Sequence, residues 1–97
     1  MYQIIDTINY STFDGLKVTK LTELTATEML QINLEKDAIF PEHTSPTDAT
    51  LLVLEGAIRF QINSNEYQLM SHQLFEFPKN IPHSVFALED SKFLILR

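Results

Sequence analysis

The chain has 97 residues, a length that predicts one domain with a small hydrophobic core. Its formal net charge is −6, and its seven Lys and Arg residues are scattered. These features argue against nucleic acid and anionic membranes as partners, because phosphate binding needs a basic face. The chain contains no cysteine, which excludes disulfides, thiol catalysis and cysteine-ligated metal centres.

The first eleven residues lack the basic segment and the long apolar run of a signal peptide. No stretch reaches the roughly 18 apolar residues that a membrane span requires. We therefore expect a cytoplasmic protein that does not cross a membrane.

Short apolar patterns follow one another along the chain and predict β-strands. Residues 16–24 alternate between apolar and polar in part, and residues 28–35 alternate more clearly. Residues 50–56 are apolar on both faces, which favours a central strand. Further strands are predicted in residues 57–63, 67–70, 73–78, 83–88 and 92–97. The best helix candidate is residues 21–30, but its threonines argue against a helix.

Turn-forming residues separate the predicted strands. They are Asp14-Gly15, Lys36-Asp37, Asn63-Ser64-Asn65, Lys79-Asn80 and Glu89-Asp90. The resulting spacing of about 8–12 residues from strand to strand is typical of an all-β sandwich or barrel. Residues 40–49 hold a histidine between two prolines, and this pattern indicates a loop.

Two stretches, "FPEHTSPTDATLLVLEG" and "FEFPKNIPHSVFAL", resemble the two motifs of the small single-domain cupins. The first family motif runs Gly, five residues, His-x-His, three or four residues, Glu, six residues, Gly. Its positions fall here on Asp37, His43, Ser45, Ala49 and Gly56. The second runs Gly, five residues, Pro-x-Gly, two residues, His, three residues, Asn. Its positions fall here on His72, Pro78, Asn80, His83 and Ala87.

The resemblance implies one all-β domain over residues 1–97, a cupin jelly-roll barrel (double-stranded β-helix) whose motifs occupy about residues 28–97. It also implies that Asp37 and Asn80 replace turn glycines, since both residue types tolerate a left-handed backbone. His72 stands at a third such position, and we expect it to be an exposed turn residue.

The resemblance further implies a site in the barrel mouth, where cupins usually hold a divalent metal with three histidines and one glutamate. Of these four positions only His43 and His83 keep a ligand, while Ser45 and Ala49 occupy the other two. Serine is a poor ligand for divalent metals, and alanine is none. We therefore expect either no metal or a weakly bound zinc, iron, manganese or nickel ion.

We predict that His43 and His83 face each other and line a pocket for a small organic ligand. The other predicted pocket residues are Ser45, Phe40, Phe86 and Gln31. One alternative is that both histidines only form hydrogen bonds with their neighbours. Whether Gln31 and Asn33 point into the barrel depends on which face of their strand is buried, and the pattern leaves this open.

Three functions follow from these observations, and we favour the first, a small-molecule binding protein. The second is a metal-dependent enzyme of the dioxygenase, isomerase or decarboxylase type. Asp48, next to the vacant glutamate position, would then supply a carboxylate beside the two histidines; otherwise it is an exposed loop residue. The third is a non-catalytic interaction role. Small cupins usually dimerise, so the resemblance implies a homodimer.

Overall fold

The computed structural model describes residues 2–22 and 26–97. Residues 23–25, which overlap the end of the first predicted strand and the middle of the helix candidate, fall outside this description. The described residues form a short helix, α1, at Thr7–Tyr10, and nine strands. The strands are β1 (Leu16–Lys20), β2 (Met29–Leu34), β3 (Ile39–His43), β4 (Ala49–Glu55), β5 (Ala57–Ile62), β6 (Asn65–Met70), β7 (Leu74–Phe77), β8 (His83–Ala87) and β9 (Ser91–Leu96).

The strands pair into two antiparallel sheets that face each other across the core. The large sheet has the order β1-β2-β9-β4-β7, and the small sheet has the order β3-β8-β5-β6. From β2 onward the chain changes sheet at every connection between consecutive strands except the one between β5 and β6. This interleaving confirms the predicted all-β jelly-roll fold.

The core lies between the sheets and consists of alternate residues on facing strands. Its largest fully buried members are Phe60, Phe93, Ile32, Leu34, Leu51 and Ile58. Each such side chain contributes roughly 1.5–3 kcal/mol on transfer from water. The polar residues between them therefore point to the outer faces of the sheets.

Strand β3 corrects the prediction of a loop around His43. Ile39–His43 is a strand at the edge of the small sheet, paired with β8. Pro41 fits there because an edge strand has one side without a partner strand, so a missing N–H is tolerated. The register shifts between Phe40 and His43, and this irregularity brings His43 opposite His83.

Several of the predicted turn residues adopt a left-handed backbone. Asp37 has φ 70°, Asn80 has φ 64° and His72 has φ 71°. Asn63 and Ser64, at 52° and 62°, form the tight turn between β5 and β6. His72 is exposed, as predicted.

Part of the N-terminal segment covers the outer face of the large sheet. Lys92 Nζ donates to the backbone oxygen of Ile8 at 3.0 Å, and Asn33 Nδ2 donates to that of Thr12 at 3.1 Å. Both side chains are buried beneath this cover. Among the described residues, no helix is long and apolar enough to cross a membrane.

Candidate functional site

Two strands of the small sheet bring His43 and His83 together. The residues are direct cross-strand partners, so their side chains lie on the same inner face of the sheet. Their Nε2 atoms are 3.1 Å apart, and the two rings meet edge to face with centroids 4.3 Å apart. The register of two strands, 40 residues apart in sequence, thus creates the pair.

Backbone carbonyls set the tautomer of both rings. Nδ1 of His43 lies 2.7 Å from the oxygen of Pro41, and Nδ1 of His83 lies 2.9 Å from the oxygen of Ile81. A carbonyl oxygen only accepts a hydrogen bond, so each Nδ1 must carry the hydrogen. In the neutral rings both Nε2 atoms are then acceptors, and they face each other at 3.1 Å.

Burial favours the neutral form of His83. Only 2 % of the residue is exposed. Burial lowers the pKa of His83 below its ordinary value, and the charges of His43 and Arg97 lower it further. The hydrogen bond to the Ile81 carbonyl opposes this pKa shift but does not reverse it.

Aromatic rings surround the pair. The His43 ring stacks on Phe40 at 4.1 Å, with 14° between the planes. The His83 ring stacks on Phe60 at 5.3 Å and meets Phe77 edge-on at 4.6 Å. These Phe side chains offer no hydrogen-bonding group, so the two Nε2 atoms are polar points in an apolar setting.

Sequence reasoning did not place Phe60 and Phe77 at this site. A signal was present for both. Phe60 alternates in step with the buried Ile58 and Ile62 of β5, and Phe77 directly precedes Pro78 of the second motif. The pairing of β5 with β8 and the packing of the two sheets, which bring these residues to His83, are not visible in a single sequence.

The polar groups predicted beside the histidines have other partners. Ser45 is buried at 2 % exposure, and its Oγ donates to the backbone oxygen of Thr47 at 2.6 Å. Oδ1 of Asp48 accepts a hydrogen bond from the backbone N–H of Lys79 at 2.9 Å. Asp48 is an exposed loop residue that ties two loops together.

The arrangement does not fit a resident divalent metal. Over residues 2–22 and 26–97, no group of three or more His, Cys, Asp or Glu side chains could hold a metal ion. The structure therefore does not bring Asp48 together with His43 and His83 in such a group. Ala49, at the family's glutamate position, is buried opposite Phe77 on the neighbouring strand. Two imidazoles alone are fewer ligands than a firm zinc or iron site requires.

Phe86 and Gln31 do not line the histidine pair, and both predictions are corrected. Phe86 is three residues from His83 on the same strand, so it points to the opposite face of the sheet. Its ring there lies 5.4 Å from the guanidinium of Arg59.

Gln31 faces away from the barrel interior because its neighbour Ile32 belongs to the core. Its Nε2 donates to Ser11 Oγ at 2.8 Å and to Asn33 Oδ1 at 2.6 Å, beneath the N-terminal segment. Its Oε1 is buried with no hydrogen-bond partner in the described part of the chain.

The sequence matches the family model described as "Cupin domain" over residues 30–96. The chain therefore belongs to the cupin family, as its fold and motif positions indicate. A comparison with curated proteins gave no match.

Solved structures share the fold. A rmlC-like cupin from Desulfovibrio desulfuricans superposes with a TM-score of 0.86 at 18 % identity, covering 99 % of this chain and 95 % of that one. A protein of unknown function from Streptococcus pyogenes gives a TM-score of 0.76 at 25 % identity, covering 86 % and 73 %. KdgF from Halomonas sp. gives a TM-score of 0.76 at 19 % identity, covering 89 % and 82 %.

Proposed function

We propose that this cupin binds a small organic molecule at the His43–His83 pair and does so without a resident metal. The observation that carries the proposal is the convergence of two Nε2 acceptors, 3.1 Å apart, among phenylalanine rings. Apolar surface combined with a few converging polar groups is the usual composition of a small-ligand site.

The exposure of the two histidines supports access from one side. His83 is buried, whereas His43 is partly exposed, and the contact between their Nε2 atoms is only partly buried. A molecule that binds beside the partly exposed His43 would lie close to its Nε2 atom and to the ring of Phe40.

A metal-dependent enzyme, the alternative function, requires a third ligand beside the two histidines. The described residues do not assemble one: Ser45 bonds to Thr47 in its own loop, Asp48 bonds to Lys79 in a second loop, and Ala49 has no donor atom. The binding function needs only the groups that are present.

A thermal-shift screen tests the binding function. The untagged protein is heated with sugars, small carboxylic acids and aromatic compounds, since a ligand that binds only the folded state raises its melting temperature. We expect a stabilising compound whose effect is lost in the His43→Ala, His83→Ala double variant and kept in His72→Asn. Asn suits position 72 because it tolerates the positive φ. If none of these compounds raises the melting temperature, the result would count against the proposal.

We further propose that the protein is a homodimer. The outer face of the small sheet exposes Ile39 to 58 % and Met70 to 51 %, with Phe86 and Arg59 also on this face. An apolar surface of this kind is what a second copy would cover. Light scattering at micromolar concentration is expected to give twice the chain mass, and Ile39→Lys is expected to lower it. A monomeric mass for the unchanged protein would refute the dimer.

A further inference from the structure

The hydrogen-bonding state of the histidine pair limits the molecules that the proposed site can accept. Both Nδ1–H groups are already used by the carbonyls of Pro41 and Ile81. In the neutral pair no hydrogen remains for the contact between the two Nε2 atoms. A ligand with a hydrogen-bond donor would bond to an Nε2 atom that otherwise faces only a second acceptor.

From this geometry we infer that the ligand carries a hydroxyl or a ring N–H donor on an apolar body, as a phenol or an azole does. This inference rests on the proposed function and adds the chemical class of the ligand. The donor hydrogen points between the two Nε2 atoms, and the apolar body lies against the aromatic rings.

The surroundings select the apolar body. Phe40 stacks on His43, while Phe60 and Phe77 contact His83. None of these three side chains can accept or donate a conventional hydrogen bond, so extra polar groups on the ligand would lose their water contacts without replacement. A compact ring with a single donor matches this setting better than a sugar with many hydroxyls.

Carboxylates are the competing ligand class, and they require a different state of the pair. A third proton on the pair would turn one Nε2 into a cationic donor, which would attract an anion. His83 is almost fully buried, and a charge taken out of water without a charged partner is costly. The formal net charge of −6 on the chain also disfavours the approach of an anion.

Phenol and benzoate are the two probes. Both have a benzene ring, but phenol carries an O–H donor, whereas benzoate carries a carboxylate that only accepts hydrogen bonds. Each is titrated into the ¹⁵N-labelled full chain at neutral pH, and the affinity is read from amide shifts near positions 43 and 83. We expect phenol to bind at least about tenfold more tightly than benzoate, the ratio that one hydrogen bond typically produces.

Three variants locate the binding. His43→Phe keeps a ring against Phe40 but removes one acceptor, and His83→Phe does the same beside Phe60; we expect at least about tenfold weaker phenol binding in each. His72→Asn is the control and is expected to bind phenol as the unchanged protein does. Because His43 is partly exposed, its variant tests the inference even if the buried His83 variant fails to fold.

The possible failures separate the inference from the proposed function. Tighter binding of benzoate, lost in the histidine variants, would overturn the ligand class and leave the site in place. Phenol binding that is unchanged in both folded histidine variants would overturn the proposed site. As a test without variants, the ring ¹⁵N spectra of the unchanged protein must show both Nδ1 atoms protonated and both Nε2 atoms bare. A hydrogen on either Nε2 at neutral pH would overturn the inference.

Discussion

His43 and His83 face each other through two acceptor nitrogens 3.1 Å apart, because each ring donates its Nδ1–H to a backbone carbonyl. The arrangement is fixed by elements outside the rings: the register of β3 on β8 and the carbonyls of Pro41 and Ile81. The pair is therefore pre-organised to bind a group that carries a partial or full positive charge. A hydrogen-bond donor meets that need with the residues present, whereas a divalent metal would still lack ligands from the protein.

The burial of His83 predicts a pH-dependent stability. Its pKa is lowered in the folded state, so the unfolded chain, with an ordinary pKa of about 6.5, binds the proton more readily. The stabilising contribution of the neutral ring is fully present above about pH 6.5. It is lost as the pH falls from there toward the folded-state pKa.

Urea unfolding between about pH 7.5 and pH 5 measures this contribution. The free energy of unfolding is expected to fall more steeply with acid in the unchanged protein than in His83→Phe. His72→Asn, which changes an exposed histidine, is expected to follow the unchanged protein. Equal acid dependence in His83→Phe and the unchanged protein would show that His83 titrates normally in the folded state.

Ala49→Glu tests whether a carboxylate at the family's glutamate position is enough to give this chain a metal site. Ala49 is buried beside Phe77, so a carboxylate there is expected to lower the free energy of unfolding by about 2–5 kcal/mol without metal. Zinc or manganese is expected to restore much of that loss, because the carboxylate would then join two imidazoles.

The matched control is Ala49→Gln, which has nearly the same size and no negative charge. It is expected to be destabilised and to gain little from metal. The readout for both variants is the melting temperature with and without metal, compared with a chelator. If metal raises the melting temperature of Ala49→Glu no more than that of the unchanged protein, position 49 does not face the pair.

The two glycines provide a second matched comparison. Both have a positive φ, 89° at Gly56 and 63° at Gly15. A Cβ at Gly56 would collide with Ser91 Oγ and the backbone oxygen of Asp90, whereas a Cβ at Gly15 meets nothing within 4 Å.

Gly15→Ala is expected to cost about 1–2 kcal/mol, from backbone conformation alone. Gly56→Ala is expected to cost about 1–3 kcal/mol more, because the turn between β4 and β5 must move away from β9. Chemical denaturation of both variants measures the difference. Equal losses would mean that the turn moves without resistance and that Gly56 serves only the backbone conformation.

Much of the fold could be predicted because it depends on local patterns. The alternation in β5 separates the buried Ile58 and Phe60 from Arg59, and the positive φ values at Asp37 and Asn80 match their positions in the motifs. Strand β3 was missed because prolines normally argue against a strand. They do not do so at a sheet edge, and edge position depends on the order of distant strands.

The site was less predictable, since it depends on which face of each strand is buried. The two motif positions brought His43 and His83 together, and Phe40 lies beside them. Phe86 was misplaced because proximity in sequence does not give the same face on a strand. Gln31 was misplaced because the large sheet has a second buried face. The N-terminal segment covers that face, and its Ser11 accepts a hydrogen bond from Gln31.

Metal content is the most direct test of the central claim that the pair acts without a resident metal. The untagged protein is incubated with zinc, iron, manganese or nickel, dialysed and measured by elemental analysis, beside the His43→Ala, His83→Ala double variant. We expect far less than one ion per chain in both samples, because two imidazoles hold a divalent ion weakly. One ion per chain that disappears in the double variant would contradict the claim and would make a metal-dependent activity the first to assay.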